Sequence, residues 1–447
     1  MVLHEARILN ILETRRFFRP CGILAAGIVT SMMFFPFEFK ALPPGMNSKK
    51  MLAVVGLVFL FFGMVKKREL KIDRDFLYVS LLAILVSFCG LFSVTFNETS
   101  DYAYANYISS AWVWMGAAYA AYSMMRLVHK EVNCVVLINY LVGVCLFQCV
   151  MALVIDGNGE VKRFVDTYIE QGQLFITDVD RLYGIGASLD VAGSRFAAVV
   201  MMVSFILANT SIKKSAWEYF IYITGIFAIS ILGNMIARTT IVGIGLGTMY
   251  FIFVTIRQAK GFENQYARLW KWFSALLVVS VITTTYLYET NTKFREDVRF
   301  GFEGFFNFFE RGTFEYSSNT KLGAMSVWPT QLKTWLIGDG YFDSPDATNP
   351  YYTGSPHPGF YMGTDVGYQR FIFYFGIVGL AMFSFFLVMT TRVLMKRHPG
   401  WRMMFLMLLL VNFIVWTKVS TDIFLVFALF FCLPKADEDC VSDCRNV

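Results

Sequence analysis

The sequence predicts an all-α integral membrane protein of about twelve transmembrane helices, with two long loops on one side of the bilayer. Three observations carry that reading. The chain is 56% hydrophobic and only 16% charged, whereas soluble domains hold about a quarter of their residues as charges. Apolar stretches approaching the ~20 residues that cross a hydrocarbon core recur along most of its length. Between them, lysine and arginine gather in loops that fall on a single side.

Residues 1–19 carry Arg7, Arg15, Arg16 and Arg19. They lead into the first apolar stretch without a small-residue cleavage pattern, so they read as an amphipathic cytoplasmic start and not as a cleaved signal. Spans are expected at 20–37, 51–65, 75–95, 108–126, 132–155, 191–210, 217–236, 239–256, 270–288, 365–390, 403–417 and 420–434. An even number leaves both termini on one side. The loops KKRELKIDR (66–74), IKKS (212–215), RQAKGFENQYARLWK (257–271) and TRVLMKRHPGWR (391–402) share that side. With the N-terminus and the 126–131 turn they hold 21 of the 39 Lys and Arg, while the opposite loop 96–107 holds none. Basic loops stay in the cytoplasm, which places both termini there. The net charge of +6 belongs to this asymmetry and does not call for nucleic acid.

The chain therefore divides into membrane helices over 1–155, an outer loop at 156–190, central helices over 191–288, a larger outer loop at 289–364, and C-terminal helices with a tail over 365–447. Most links between elements run a few residues, so the larger loop is expected to carry function. Seven of the eight cysteines (Cys89, Cys134, Cys145, Cys149, Cys432, Cys440 and Cys444) lie in or beside spans or in the tail, and Cys21 opens the first span. The two long loops hold none, so no disulfide framework is expected there. Cys440 and Cys444 lack nearby histidines, and neither a metal nor a cofactor is expected.

Two arginines stand at the outer boundary. Arg181, in DVDRLYGIGASLDVAGSRF, closes the first outer loop; Arg238, in GNMIARTTIVGIGLG, occupies the turn between the seventh and eighth spans. Charge at membrane depth is costly and needs a partner or a water-filled cavity. The planar five-donor guanidinium suits phosphate oxygens, so this pair can hold a diphosphate; snorkelling or an ion pair is the structural alternative. Gly243, Gly245 and Gly247 follow in the eighth span. They permit close helix packing or leave a groove for a lipid tail.

The tenth span opens with TDVGYQR. On a helix beginning there, Asp365, Tyr368 and Gln369 share a face, and Arg370 points away from it, to snorkel or pair elsewhere. A buried carboxylate beside a polar cavity can act as a general base, because burial raises its pKa toward neutrality. Equally, Thr364 or Asp365 can cap the helix, and an acid suits its positive dipole end. His357, in GSPHPGF, is a rival proton acceptor, though its flanking prolines favour a rigid exposed loop. Trp328, Trp335, Tyr341, Tyr351, Tyr352 and Tyr361 suit the apolar faces of sugars, or else form an interfacial aromatic belt. FREDVRFGFEGFFNFFERG (294–312) reads as a helix lying in the interface plane. Asp339, Asp343 and Asp346 match no calcium-loop pattern and read as turn residues.

In this order, the pieces resemble the O-antigen polymerase and ligase superfamily of bacterial envelope enzymes. RLYGIGASLDVAG (181–193) is similar to its Arg-x-x-Gly segment, and ARTTIVGIGLG (237–247) to its Ser-Arg turn, with Ala237 departing from the usual small polar residue. LIGDGYF (336–342) resembles its Gly-x-Gly element, and TDVGYQRFIFYFGIVGL (364–380) its Asp-x-Gly-Tyr segment with a downstream Gly-x-x-Gly. The resemblance covers residues 180–390. Ligases of the superfamily typically carry His-Asn where this chain has Asp365-Val366, so the likeness is nearer to the polymerases, although His357 keeps the ligase reading open.

The resemblance implies a lipid-linked-donor (GT-C-like) glycosyltransferase in the bacterial inner membrane, with its active site facing the periplasm. Its substrate is an oligosaccharide on undecaprenyl diphosphate. A growing glycan passes from that carrier to the non-reducing end of a new lipid-linked unit, with inversion. Arg181 and Arg238 take the diphosphate, Asp365 orients or deprotonates the acceptor hydroxyl, and Tyr368 assists by a hydrogen bond. Gln369, Arg370 and His357 are additional candidates. The expected partners are the lipid-linked oligosaccharide, membrane lipid, a chain-length regulator and a flippase; nucleic acid is not among them. The alternatives are a ligase that transfers glycan to lipid A-core, and a transporter or flippase, which normally carries its charges near the bilayer midplane and has related halves.

Overall fold

The structure is a computed structural model describing residues 19–43, 45–67, 73–170, 181–209, 212, 214–258, 263–313, 317–344 and 360–435. The described chain is mostly helical. Its membrane-length and apolar helices are α1 (Arg19–Phe34), α2 (Ser48–Lys67), α3 (Arg74–Phe96), α4 (Tyr107–Val128) and α5 (Cys134–Gly157). The short α6 (Gly159–Tyr168) precedes α7 (Leu189–Ala208), α8 (Ala216–Ile236), α9 (Thr240–Gln258) and α10 (Glu263–Thr290). In the large loop lie α11 (Thr292–Gly301), α12 (Glu303–Arg311), α13 (Ser317–Ala324) and α14 (Leu332–Leu336). Finally come α15 (Gly367–Arg397), α16 (Arg402–Val415) and α17 (Phe424–Phe431). A two-residue strand pair, β1 (Glu38–Phe39) with β2 (Ile169–Glu170), ties the end of α6 to the α1–α2 connection.

All twelve expected spans contain helix. Among the described residues seven helices are long and apolar enough to cross a membrane: α2, α3, α5, α7, α8, α9 and α15. The others fall short for local reasons. α1, α16 and α17 are too short, α4 dilutes its apolar residues with tyrosine and serine, and α10 opens on the polar ENQYARLWK. The protein thus has the helical, apolar build of a membrane-embedded chain.

α7 is the central helix. Residues 192–208 are buried throughout, which explains why its sequence, Arg195 apart, is apolar nearly all round and not striped. α9 packs against it through small residues: a Cβ on Gly243 would overlap the backbone of Ala197, and one on Gly247 would lie 2.5 Å from Ser204 Oγ. Gly245 faces open space. Two of the three glycines therefore serve packing.

Charges collect at the two ends of the bundle. At one end Arg397, closing α15, pairs with Asp73 and Asp75, and Lys435 joins the same two carboxylates. At the other end the large loop enters α15 itself. The helix breaks at Phe375–Gly376, where Gly376 has φ 68° and ψ −175°. A helix break leaves carbonyls without intrahelical partners, and here LIGDGYF supplies the donors. Asp339 N donates to Phe373 O at 2.6 Å, Gly340 N to Tyr374 O at 3.1 Å, and Ser93 Oγ to Tyr374 O at 2.7 Å. The Tyr374 hydroxyl accepts from the Tyr104 and Ala105 amides and donates to Asp101 O. Gly338 and Gly376 permit this approach. Each has a positive φ, and a Cβ on either would run into the opposing backbone.

Two expectations are corrected here. α15 starts at Gly367, so Asp365 precedes the helix and does not share a helical face with Tyr368 and Gln369. The expected interfacial helix over 294–312 is two helices, α11 and α12, with a bend at Phe302. Phe305, Phe308 and Phe309 project from α12, Phe309 at 83% exposure.

Replacing Gly376 with Ala forces a side chain into left-handed backbone and against Leu336. We expect a loss of about 1–3 kcal/mol, read as a lower melting midpoint in detergent, while Gly245→Ala leaves the midpoint unchanged.

Candidate functional site

The site assembles where α7 begins. Asp190, in the first turn of α7, accepts hydrogen bonds from the Thr239 hydroxyl and from Lys418 Nζ at 2.8 Å. Thr239 follows Arg238 in the α8–α9 turn. That turn comes after a π-helical turn at Ile229–Gly233, and Thr240 Oγ1 satisfies the Gly233 carbonyl. Lys418 lies in the α16–α17 loop, which is pinned by Trp416 Nε1 donating to Thr421 O and by Ile423 N donating to Asn412 Oδ1. Three remote stretches therefore meet at one carboxylate.

Arg238 and Arg181 stand over the same ring. Their guanidinium carbons lie 3.8 and 4.9 Å from the centre of Phe300, in α11. A ring face attracts cations and is worth more where water is excluded. Arg238 is only 7% exposed, and its Nη1 pairs with Glu303 at 2.9 Å. Glu303, the first residue of α12, also accepts from Ser317 N at 3.1 Å and Ser317 Oγ at 2.8 Å. Arg238, Arg299, Phe300, Glu303, Phe306, Asn307 and Ser317 line a polar cavity of about 300 Å³. Arg181 also acts electrostatically on Asp190, so the two arginines and the Asp190–Lys418 pair form one charge cluster.

Asp365 adjoins that cluster. Burial and the neighbouring Asp190 push its carboxyl up to about 7, against the opposing pull of Arg370 and Lys418. Its Oδ1 is enclosed and has no hydrogen-bond partner among the described residues. A carboxyl poised near neutrality, with an unused oxygen, is equipped to take or give a proton.

The other expected residues do structural work. The Tyr368 hydroxyl donates to Phe413 O at 2.9 Å, and its ring packs edge-on against Trp416. Its one donor is spent on α16, so the expected hydrogen bond in support of Asp365 is not made. Gln369 accepts from Val327 N and Thr364 Oγ1 and donates to Ser326 Oγ. Arg370 is held by Asp343 at 2.6 Å, Phe342 O at 3.0 Å and Ser420 Oγ at 2.9 Å, between the rings of Phe342 and Phe360. Gln369 and Arg370 thus fasten the large loop to the start of α15. Asp343 and Asp339, expected as turn residues, are ion-pair partners of Arg370 and Lys333. Trp328 and Trp335 stack at 5.7 Å, as do Tyr341 and Tyr361 at 5.3 Å. His357, Asp346, Tyr351 and Tyr352 lie outside the described residues.

Sequence reasoning passed over Asp190, Lys418, Phe300 and Glu303. Two of these left a signal: an acid in the first turn of a helix whose only other charge is Arg195, and a lone lysine between the last two spans on the cation-poor side. Comparison of the chain with protein-family models, with curated proteins and with solved structures finds no match in any of the three.

The raised Asp365 pKa has a stability consequence. The folded state holds this proton more tightly than an unfolded aspartate near 3.8, so stability falls as pH rises from about 4 to about 7, and the cost is complete above that window. Asp365→Asn removes the group. The melting midpoint of this variant relative to wild type should therefore rise between pH 5 and pH 8; a constant difference refutes the shift.

Proposed function

We propose that this chain polymerises lipid-linked oligosaccharide repeat units, moving a growing glycan from undecaprenyl diphosphate to the non-reducing end of a new unit. The observation that carries the reading is the convergence of Arg181 and Arg238 on Phe300, beside the Asp190–Lys418 pair and Asp365. These are the parts that displacement of a diphosphate by a sugar hydroxyl requires.

In this reading the acceptor hydroxyl oxygen attacks the anomeric carbon on the face opposite the diphosphate. The new C–O bond forms as the anomeric carbon–phosphate oxygen bond breaks, and the bonding pair leaves on the diphosphate. Arg181 and Arg238 stabilise that developing charge, and Asp365 takes the hydroxyl proton. Arg238 is held by Glu303, so a bound diphosphate shares or displaces that carboxylate. Phe306 of α12 lines the cavity, and the stacked pair Trp328–Trp335 offers a face for sugar rings. The twelve-span topology, the GT-C-like fold, the inner-membrane location and the periplasmic orientation belong to the same proposal.

Loss of the chain should leave a surface glycan of single units on lipid A, seen as a vanished ladder on a gel. Free polymer that never reaches lipid A indicates a ligase, and an intact glycan with altered solute uptake indicates a transporter. Arg238→Ala and Arg238→Lys should both abolish chain extension in protein that still inserts, because an ammonium does not reproduce the bidentate fork; normal polymer length in either variant defeats the diphosphate role. The wild-type rate should rise about tenfold per pH unit below 7 and level off above it, as Asp365 ionises. Asp365→Asn should bind lipid-linked substrate without turning it over.

A further inference from the structure

A second group of charges lies deeper in the same end of the bundle and takes no part in the site described. Arg195 sits five residues after Asp190 on α7, about 7.5 Å further along the helix axis, and is only 6% exposed. Its Nε is enclosed without a partner. Among the described residues the guanidinium makes no hydrogen bond and no ion pair; its one contact of note is the face of Phe35, at 5.7 Å. Lys49, in the first turn of α2, likewise has no ion pair among the described residues and lies over the Trp114 ring at 4.4 Å; Ser48 beside it donates to Met32 O and accepts from Phe37 N, which sets it against the segment that carries Phe35. Asp422, in the loop that carries Lys418, acts electrostatically on both cations. Yet its carboxylate accepts only the Phe424 amide and bridges to neither.

Such an arrangement is costly as it stands. A buried arginine without a counter-charge loses its hydration and gains little in return. Lys49 also feels Lys50 and Glu38, which offset one another, so Arg195, Lys49 and Asp422 leave a net positive charge. Guanidinium and ammonium are donors only, so a partner for them must supply acceptors and negative charge. A neutral sugar supplies no charge. A phosphate supplies both, and its oxygens match the guanidinium fork.

We propose that Arg195 and Lys49 form a second phosphate-binding site, separate from Arg181 and Arg238, which seats the diphosphate of the acceptor lipid. The choice of acceptor rests on the polymerase reading; the phosphate site itself does not. Asp422 limits affinity at this site and so favours release.

The test is calorimetric titration of the full chain in detergent with farnesyl diphosphate, and in parallel with inorganic pyrophosphate. Wild type should bind two farnesyl diphosphates. Arg195→Gln or Lys49→Gln should weaken one site at least tenfold and spare the other, Arg238→Gln should do the converse, and Asp422→Asn should tighten the Arg195 site. Two unchanged sites in Arg195→Gln overturn the assignment. If that variant does not fold, an Asp422→Asn protein with unaltered affinity overturns it instead. A single site, lost with Arg238→Gln alone, defeats this inference and leaves the polymerase reading standing; no binding to wild type defeats both. Equal affinity for pyrophosphate, or displacement by glucuronate alone, refutes a lipid diphosphate seat.

Discussion

A guanidinium or carboxylate withdrawn from water into an apolar bundle costs roughly several kcal/mol unless something replaces its hydration. That constraint organises the charged end of this protein. Arg370 is held by a carboxylate, a carbonyl, a hydroxyl and two rings. Arg238 is held by Glu303 and Phe300, and Asp190 by Thr239 and Lys418. Against these, and among the described residues, Asp365 keeps an enclosed oxygen without a hydrogen bond and Arg195 has only a ring face. Proton transfer is proposed for the first and a second phosphate for the other.

The same constraint acts on the backbone. A helix interrupted inside a bundle must find donors for its freed carbonyls, since lipid offers none. LIGDGYF provides them, and so becomes a structural plug in α15 as much as a loop. The break depends on Gly376 and Gly338, while Asn97, Thr99 and Asp101 at the end of α3 hold the plug through Gly338 O, Gly340 O and the Phe342 amide. By fixing residues 336–343, this network also sets Asp343 against Arg370, and hence the start of α15 next to Asp365. Rigidity at the break and position at the site are one arrangement.

Two cationic groupings at one end of the bundle are joined through α7 and the 416–423 loop; in the proposed reading they hold two anionic lipids. Asp190 and Arg195 are on one helix; Lys418 and Asp422 are on one loop. A shift of either element moves both groupings together, which gives occupancy of one a physical route to the other.

Composition and the spacing of apolar runs determined the helical membrane class, because about twenty apolar residues have few other ways to satisfy their backbone in lipid. Arg181, Arg238 and Asp365 were also legible, as charges at the margins of apolar runs. What the sequence could not supply was partnership. Tyr368 and Arg370 look as available as Asp365 in one dimension, and only packing shows that α16 and the large loop consume them. Glu303, Phe300, Lys418 and Arg195 gain their meaning from neighbours tens to hundreds of residues away. Local pattern records the cost of burying a charge; the fold alone decides what meets it.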